Sequence, residues 1–300
     1  MTDEQHRFGV GQRAALAQKG SAPHMLVMSA TPIPRTLALM IYGDLDLSVL
    51  DELPPGRQTI ATYAVGTALR ARIYRFIQKH LDQGLQAYIV CPLVEEGDSG
   101  MAAAQEYAGR LAAREFASYR VGLLHGRMKA SEKEAVMRDF KENRIQLLIS
   151  TTVVEVGVDV PNAVVMVIEN AERFGLSQLH QLRGRVGRGQ QASTCILVSD
   201  AQNEEARRRL KVMCETADGF RIADEDLKLR GPGDFFGARQ HGLPELRIAD
   251  MLTDTEALRQ ASAAARELIE RDPRLESPEH CGLAGLVDAL FSSVGSEGFN

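Results

Sequence analysis

Three arginines stand close together in the segment QLRGRVGRG, which begins at Gln181. Arg183, Arg185 and Arg188 are separated only by glycine and valine, and like charges so near one another repel, so an anion is expected beside them. The candidates are nucleic-acid phosphate, nucleotide phosphate and a carboxylate cluster, and a solvated basic turn is the alternative. A helix is predicted over residues 176–187, which would place Gln181, Arg185 and Arg188 on one face. Two arginines are therefore predicted to face phosphate, and Arg183 to be structural.

A second polar segment follows an apolar run that ends at Ile149. Its sequence, STTVVEVGVD, places Thr151, Gly157 and Asp159 ahead of a proline. Hydroxyls, backbone N–H groups and a carboxylate at the carboxyl edge of a parallel sheet are the usual place for ligand binding in α/β folds. A strand-to-loop transition with solubilising polar groups is the alternative.

Two shorter patterns occur near the start of the chain. Asp3 and Glu4, in DEQH, are adjacent carboxylates of the kind that hold Mg²⁺ and polarise a water for attack on phosphorus, although such pairs also occur on many helix surfaces. Ser29 and Thr31 place two hydroxyls directly after the apolar run MLVM, and a helix N-cap before Pro34 is the alternative.

The elements that must position these residues follow one pattern from about residue 60 to residue 200. Short apolar runs alternate with segments of helical spacing, which predicts an α/β domain built on a parallel sheet covered on both faces. The predicted strands are residues 87–91, 121–124, 145–149, 164–168 and 195–198. The predicted helices within and just after this domain are residues 69–81, 101–116, 131–143, 176–187 and 204–217.

Three regions are predicted along the chain. Residues 1–56 are interpreted as the closing part of another sheet domain with a linker at LPPG, and residues 1–50 as a strand–helix–strand remnant that is too small to bury a core. Residues 57–200 form the α/β domain. Residues 201–300 hold a charged helix, a stretch rich in glycine and proline, and two final helices.

Composition narrows the class of protein. Of 300 residues, 44% are hydrophobic and 25% are charged, and the formal net charge is −5, which argues against a polycation that coats nucleic acid. No run of about 18 apolar residues or signal peptide is seen, and the cysteines lack a C-x-x-C pair. We expect a protein of the cytoplasm, with no membrane contact.

The order of these patterns resembles that of motifs II, III, V and VI of superfamily 2 helicases: DEQH, SAT, STTVVEVGVD and QLRGRVGR. Residues 57–200 are similar to the second RecA-like domain of that superfamily, and residues 1–56 to the end of the first. The resemblance implies an α/β fold, a RecA-like parallel-sheet domain of the P-loop NTPase type followed by a mainly helical extension.

Residues 216–244 narrow the resemblance. TADGFRIADEDLKLRGPGDFFGARQHGLP is similar to the TRG element, which the RecG family shares with the transcription-repair coupling factor. The GPG and FFG triplets and the following RIAD favour the RecG family, and the resemblance covers essentially the whole chain. It implies the C-terminal part of an ATP-dependent DNA helicase that remodels branched DNA and stalled replication forks in recombination and repair.

The resemblance also implies roles for individual positions. Asp3 and Glu4 would hold Mg²⁺ and activate water, and Arg185 and Arg188 would act as arginine fingers on ATP. The residues implied to read or contact the nucleotide, or to sense DNA state, are Thr151, Gly157, Asp159 and Gln181. The residues implied to couple ATP to DNA are His6, Ser29, Thr31, Arg230 and Gln240, of which the last two belong to the TRG element.

The chain departs from the family in lacking G-x-x-x-x-G-K-[ST], the loop that cradles ATP phosphates. It also lacks the N-terminal wedge that splits branched DNA. We therefore expect no ATP hydrolysis by the chain alone. The expected partners are branched or forked double-stranded DNA and the missing wedge and Walker A domain, in a monomeric, nucleoid-associated bacterial enzyme.

Some interpretations stay open. A transcription-repair coupling translocase and, for the isolated chain, an inert DNA- or nucleotide-binding module are the alternative functions. His125 would contact DNA backbone or serve the loop. The cationic residues of the charged helix would touch DNA or form a solvated face, and they are Arg207, Arg208, Arg209 and Lys211. The motor interpretation expects that Arg185 and Arg188 do not point away from the crevice at the carboxyl edge of the sheet and are not tied up internally by acidic partners.

Overall fold

The computed structural model describes residues 26, 28, 48–50, 52, 58–92, 98–151, 159–230 and 254–293. Within these, residues 26, 28 and 52–222 belong to one compact unit, and residues 48–50 and 223–293 belong to a second.

The first unit is built on a sheet of six parallel strands. Their bounds are β1 Ala61–Val65, β2 Gln86–Val90, β3 Val121–Leu124, β4 Leu147–Ser150, β5 Ala163–Ile168 and β6 Thr194–Val198. In space the order is β1-β6-β5-β2-β4-β3. The central strands β2, β4 and β5 are buried at every residue, which is what near-continuous apolar runs in a parallel sheet require.

Helices connect most of the strands and continue beyond the last one. Their bounds are α1 Arg70–Leu81, α2 Asp98–Ala113, α3 Ala130–Lys141, α4 Leu176–Arg183, α5 Glu204–Glu215, α6 Gly219–Arg230, α7 Thr255–Arg271 and α8 Cys281–Ser293. Helix α1 shows why they form, since Ile73, Ile77 and Leu81 recur at helical spacing and are buried against the sheet. None of the helices in the described ranges is long and apolar enough to cross a membrane.

The predicted α/β domain is confirmed, and each predicted strand lies within about two residues of an observed one. Strand β1 was not predicted. Its sequence, ATYAV, is at the sheet edge and leaves Tyr63 56% exposed, so it carries no continuous apolar run.

Helix α5 belongs to the sheet unit, which extends beyond residue 200 to Ile222. The charged segment has an apolar stripe, Ala206, Leu210 and Met213, that is buried while its other face is exposed. Because this stripe packs near β1 and α4, the helix joins the unit whose core it helps to close.

The second unit contains a turn between α7 and α8 that is organised by Asp272. Its carboxylate accepts hydrogen bonds from the backbone N–H groups of Glu276 (3.1 Å) and Ser277 (3.0 Å), and lies 3.0 Å from the imidazole Nδ1 of His280. Hydrogen bonds from Ser277 and His280 hold the pKa of Asp272 well below its usual range. The carboxylate therefore stays charged and keeps this turn ordered at neutral pH.

A buried glutamine ties together the amino edge of the sheet. Gln86 has no exposed surface. Its Nε2 donates to the carbonyl oxygens of Phe140 (2.5 Å) and Ile145 (2.7 Å), and its Oε1 accepts from Asn162 (3.2 Å). One side chain thus connects the last turn of α3, the loop that leads into β4 and the side chain of Asn162, which directly precedes β5.

Replacing Gln86 by methionine keeps the side-chain volume but removes these hydrogen bonds. Since two buried carbonyl oxygens lose their side-chain donor, we expect the free energy of unfolding to fall by roughly 2–4 kcal/mol. Urea denaturation followed by circular dichroism measures it. The matched Gln83→Met change, at an exposed turn position, should alter stability by less than about 0.5 kcal/mol. Equal effects of the two changes would show that the hydrogen bonds of Gln86 do not stabilise the fold.

Candidate functional site

The arginine-rich segment is a short helix followed by a loop. Helix α4 ends at Arg183, and Gly187 adopts a positive φ of 76°, which a helix does not allow. The predicted helix over residues 176–187 is therefore too long, and the single face proposed for Gln181, Arg185 and Arg188 does not exist. Gln181 stays on the helix, partly buried, while both arginines lie in residues 184–189, which we call the arginine loop.

The arginine loop lies at the amino edge of the sheet. A Cβ atom placed on Gly187 would lie 2.8 Å from the side chain of Ile60, and one on Gly189 would lie 2.5 Å from the carbonyl oxygen of Pro161. Ile60 immediately precedes β1 and Pro161 precedes β5 by two residues. The expectation that the arginines reach the carboxyl-edge crevice is wrong, because α4 runs back across the sheet and returns the chain to the start of β6.

Arg188 has an acidic partner, but the pair is not an internal one. Arg188 Nη1 lies 3.5 Å from Asp159 Oδ1, and Arg188 Nε donates to the carbonyl oxygen of Gly184 at 3.1 Å. The two charged side chains are 31% and 56% exposed, respectively. A pair this open to solvent contributes only about 0–1 kcal/mol, so a more highly charged anion can displace Asp159.

A buried phenol lies within the electrostatic reach of this group. Tyr88, on β2, is only 1% exposed. Burial raises the pKa of Tyr88, and the positive charges of Arg185 and Arg188 act in the opposite direction. Asp159, Arg185 and Arg188 therefore form one charged cluster near this side of the sheet.

Arg183 points away from that cluster, as predicted. It is 4% exposed and donates hydrogen bonds to backbone carbonyl oxygens near the end of α5. Its role in the first unit is structural.

The carboxyl edge carries a different set of polar groups. Thr151 directly follows β4 and His125 directly follows β3, and the Thr151 N–H donates to the Leu124 carbonyl oxygen at 3.1 Å. In the part of the chain that the structure describes, the Thr151 hydroxyl and the His125 Nδ1 are buried and have no hydrogen-bond partner. Such orphaned atoms are rare and costly, which makes these two groups candidates for binding a ligand.

Thr151 and Asp159 are therefore not one ligand set. Thr151 follows a strand and lies at the carboxyl edge, whereas Asp159 lies four residues before β5 and contacts Arg188. The expectation that the STTVVEVGVD segment gathers its polar groups at the carboxyl edge is wrong for Asp159, because the chain must cross to the amino edge before the next parallel strand can begin.

A buried charge cluster at the end of β5 was not predicted. Glu169 is 3% exposed; it accepts from Arg70 at 2.7 Å and from the Tyr107 hydroxyl at 2.8 Å. The hydrogen bond that Arg70 donates to Glu169 raises the pKa of Arg70. Both carboxylate oxygens of Glu169 accept a hydrogen bond. Because Arg70 belongs to α1 and Tyr107 to α2, these bonds hold both helices against the sheet. The one signal in the sequence is a carboxylate directly after an apolar strand.

The arginines of α5 are divided between surface and interior. Arg207 bonds Gln202, and Lys211 lies 3.6 Å from Glu215, both on the exposed face. Arg209 instead donates to the carbonyl oxygens of Glu172 (3.1 Å) and Phe174 (3.4 Å). The solvated-face interpretation holds for the first two residues.

Several predicted site residues lie outside the described residues, and they are Asp3, Glu4, His6, Ser29, Thr31, Gly157 and Gln240. Arg230 is the last residue of α6, and its side chain is likewise outside the description. Among the described residues no group of three or more His, Cys, Asp or Glu side chains could hold a metal ion.

Two family models match separate parts of this chain. The helicase conserved C-terminal domain matches residues 69–190, and the model described as ATP-dependent DNA helicase RecG, domain 3, C-terminal, matches residues 216–287. The fold and the arginine loop thus define a RecA-like helicase domain with a helical extension.

Individual relatives narrow the group of helicases to which this chain is similar. The RecG helicase of Bacillus subtilis is 51% identical over 294 residues, which are 98% of this chain and 43% of the relative; for that of Escherichia coli K12 the values are 50%, 91% and 40%. A solved structure of RecG bound to a three-way DNA junction is 48% identical with a TM-score of 0.68, covering 86% of this chain and 33% of that one. The chain is similar over almost its whole length to RecG helicases, and it spans about two fifths of the length of these curated relatives.

The position of the arginine loop can be tested with matched glycine substitutions. Gly189→Ala drives a Cβ into the Pro161 carbonyl oxygen, and we expect a loss of roughly 1–3 kcal/mol in unfolding free energy. Gly109→Ala, on α2 with nothing within 4 Å, should instead stabilise by up to about 1 kcal/mol. Thermal denaturation of both variants measures these changes. A neutral Gly189→Ala change would show that the loop does not pack on Pro161.

Proposed function

We propose that this chain supplies the second RecA-like domain and the DNA-engaging extension of an ATP-dependent helicase that remodels branched DNA and stalled replication forks in the bacterial cytoplasm. The observation that carries the proposal is 51% identity to a RecG helicase over 98% of the chain. The relative of known structure is bound to a three-way DNA junction, which favours a branched DNA substrate.

The arginine loop lies at the amino edge and not at the expected crevice, so the motor proposal is supported by the similarity to RecG helicases and not by that placement. In the proposed enzyme Arg185 and Arg188 act on ATP that a preceding RecA-like domain presents to this loop. In this domain, without the nucleotide, Arg188 forms a partly exposed ion pair with Asp159. A triphosphate carries more charge than a carboxylate and offers several oxygens, so it would draw the guanidinium away as the two domains close. Gln181 is proposed to contact the same nucleotide, and Asp3 and Glu4 to hold its Mg²⁺.

The carboxyl edge of β3 and β4 is proposed to bind the DNA backbone. Among the residues that the structure describes, the Thr151 hydroxyl and the His125 Nδ1 have no hydrogen-bond partner. In the proposed complex each of them donates a hydrogen bond to the DNA backbone. A phosphate oxygen accepts two such bonds at once and carries no base information. His6, Ser29, Thr31, Gly157, Arg230 and Gln240 keep their proposed roles in nucleotide sensing and in coupling ATP to DNA movement.

The motor is tested in a hybrid in which this chain replaces the matching segment of the Bacillus subtilis relative. We expect DNA-stimulated ATP turnover and unwinding of a three-way junction, and no turnover by the 300-residue chain alone. Arg188→Ala should lower turnover at least about a hundredfold, since finger arginines stabilise charge in the transition state. Arg144→Ala, at an exposed ion pair, is the control and should stay within about twofold. An inactive hybrid that is folded, or full turnover by Arg188→Ala, would refute the proposal.

The DNA site is tested on the chain itself with Thr151→Val, which keeps the shape and removes the hydroxyl. Since that hydroxyl lacks a partner, the change should leave stability equal or higher by about 1 kcal/mol, yet weaken binding to duplex DNA roughly five- to twentyfold. Fluorescence anisotropy at several salt concentrations measures affinity. Thr62→Val removes a hydroxyl that donates to the Ile60 carbonyl oxygen at 3.3 Å, and this variant should bind as the parent does. Unchanged affinity of Thr151→Val would exclude this contact.

A further inference from the structure

Helix α1 carries three exposed cations on one face. Arg72, Arg75 and Lys79 are separated by three and four residues, which places them one above another on the helix. This face is opposite the buried one, on which Ile73 and Ile77 pack against the sheet. We call Arg72, Arg75 and Lys79 the α1 cation stripe.

The α1 cation stripe has no carboxylate partner among the residues that the structure describes. The Arg75 Nε donates to the carbonyl oxygen of Ala71 in its own helix, at 3.3 Å. Asp82, three residues beyond Lys79, accepts a hydrogen bond from the Tyr119 hydroxyl at 2.5 Å instead. Residues 66–81 contain four Lys or Arg and no Asp or Glu, although the formal net charge of the chain is −5.

These cations are unfavourable for the helix that carries them. Arg75 and Lys79 are like charges at i, i+4, which repel, and Arg72 lies in the first turn, where the helix dipole disfavours a cation. Several exposed cations elsewhere avoid this cost by pairing within their own helix, as Lys211 does with Glu215 at 3.6 Å. A solvated surface would offset none of the cost on α1, whereas a bound polyanion would offset all of it.

The stripe begins near the carboxyl edge of the sheet. Helix α1 follows β1, and the N–H of Thr67, just before the helix, donates at 2.9 Å to the carboxylate of Asp200, which follows β6. The helix then packs over β2, whose neighbour β4 ends next to Thr151. The stripe therefore starts close to the edge that is proposed to bind the DNA backbone and continues along the outer face of α1.

The dimensions of the stripe fit the backbone of a DNA strand. Arg72 and Lys79 are seven residues apart, which at about 1.5 Å per residue is about 10 Å along the helix. One strand of duplex DNA advances about 3.4 Å per phosphate, so about three phosphates span that length. Long cationic side chains contact such a backbone without reading its sequence. DNA is favoured over an acidic peptide because the adjacent edge is proposed to bind the same backbone.

We propose that the α1 cation stripe is a second surface for the phosphate backbone of duplex DNA, separate from the contact at Thr151 and His125. The inference rests on the proposed function, since its ligand is another part of the same branched substrate. A three-way junction offers one arm to the carboxyl edge and a neighbouring arm to the stripe. The stripe then raises the affinity for junctions and contacts neither ATP nor a base edge.

The test compares two triple variants of the 300-residue chain. The first replaces the three stripe residues by glutamine. The matched control makes the same change at three exposed cations on and just after α3, and they are Arg138, Lys141 and Arg144. Helix α3 lies on the other face of the sheet, because its Phe140 packs on Tyr88 while the residues on either side of Tyr88 face α1.

Fluorescence anisotropy with a labelled three-way junction measures the Kd of each variant over a series of salt concentrations. Each lost phosphate contact lowers the slope of log affinity against log salt by about 0.9 in magnitude. The stripe variant should therefore lose about 2–3 in slope and at least about tenfold in affinity at low salt. The control variant should stay within about threefold of the parent, since charges farther than a Debye length from the DNA are screened.

The outcomes separate the stripe from the proposed function. A stripe variant that keeps the slope and the affinity of the control would overturn the stripe. Loss of binding to polyglutamate, a model acidic peptide, with unchanged binding to the junction would assign the stripe to a protein partner and would overturn it as well. A folded parent chain that does not bind the junction contradicts the proposed DNA function itself.

Acetylation of the parent chain gives a readout that does not depend on whether a variant folds. Junction DNA should slow the reaction of Lys79 with an N-hydroxysuccinimide ester of acetate at least about threefold, because a bound phosphate covers the amine. Lys141, which is also exposed, should react at its original rate. Mass spectrometry of the peptides measures both rates. No protection of Lys79, or equal protection of both lysines, would refute the stripe.

Discussion

Parallel pairing of all six strands is the constraint on which the placement of every functional group depends. Residues that follow a strand are delivered to the carboxyl edge, and residues that follow a connecting helix are delivered to the amino edge. His125, Thr151 and Glu169 follow strands, whereas Arg185 and Arg188 follow α4. The domain therefore separates a pair of hydrogen-bond donors suited to a DNA backbone from a pair of cations suited to a nucleotide, on opposite edges of one sheet.

Charges at these two edges differ in how firmly they are held. Glu169 is buried and fully bonded, and Arg183 is buried against the end of a helix, so both keep their arrangement. Arg188 is partly exposed and contacts the Asp159 carboxylate at 3.5 Å and the Gly184 carbonyl oxygen at 3.1 Å. The free-energy difference between these two kinds of contact is what allows one arginine to move while the frame around it stays rigid.

A rigid frame around one arginine that can move suits the proposed motor. A nucleotide bound by a neighbouring domain needs a cation that it can capture, and that cation needs a fixed frame around it. Arg183 and Arg188, five residues apart in one segment, are placed to serve these two requirements. Arg183 is held by a fixed contact with the end of α5, whereas Arg188 is held by an exchangeable contact with Asp159.

From the sequence by itself, the parallel α/β fold, most strand positions and the structural role of Arg183 could be predicted, because buried strands and amphipathic helices leave a local pattern of apolar residues. The order of four motifs was enough to indicate the family. Only the tertiary structure decided that α4 ends at Arg183, that the arginine loop lies at the amino edge beside Asp159, and that Thr151 lies near His125 instead. Those facts depend on where the chain crosses the sheet and on which strands are neighbours, and contacts between distant residues leave no periodic signal in the sequence.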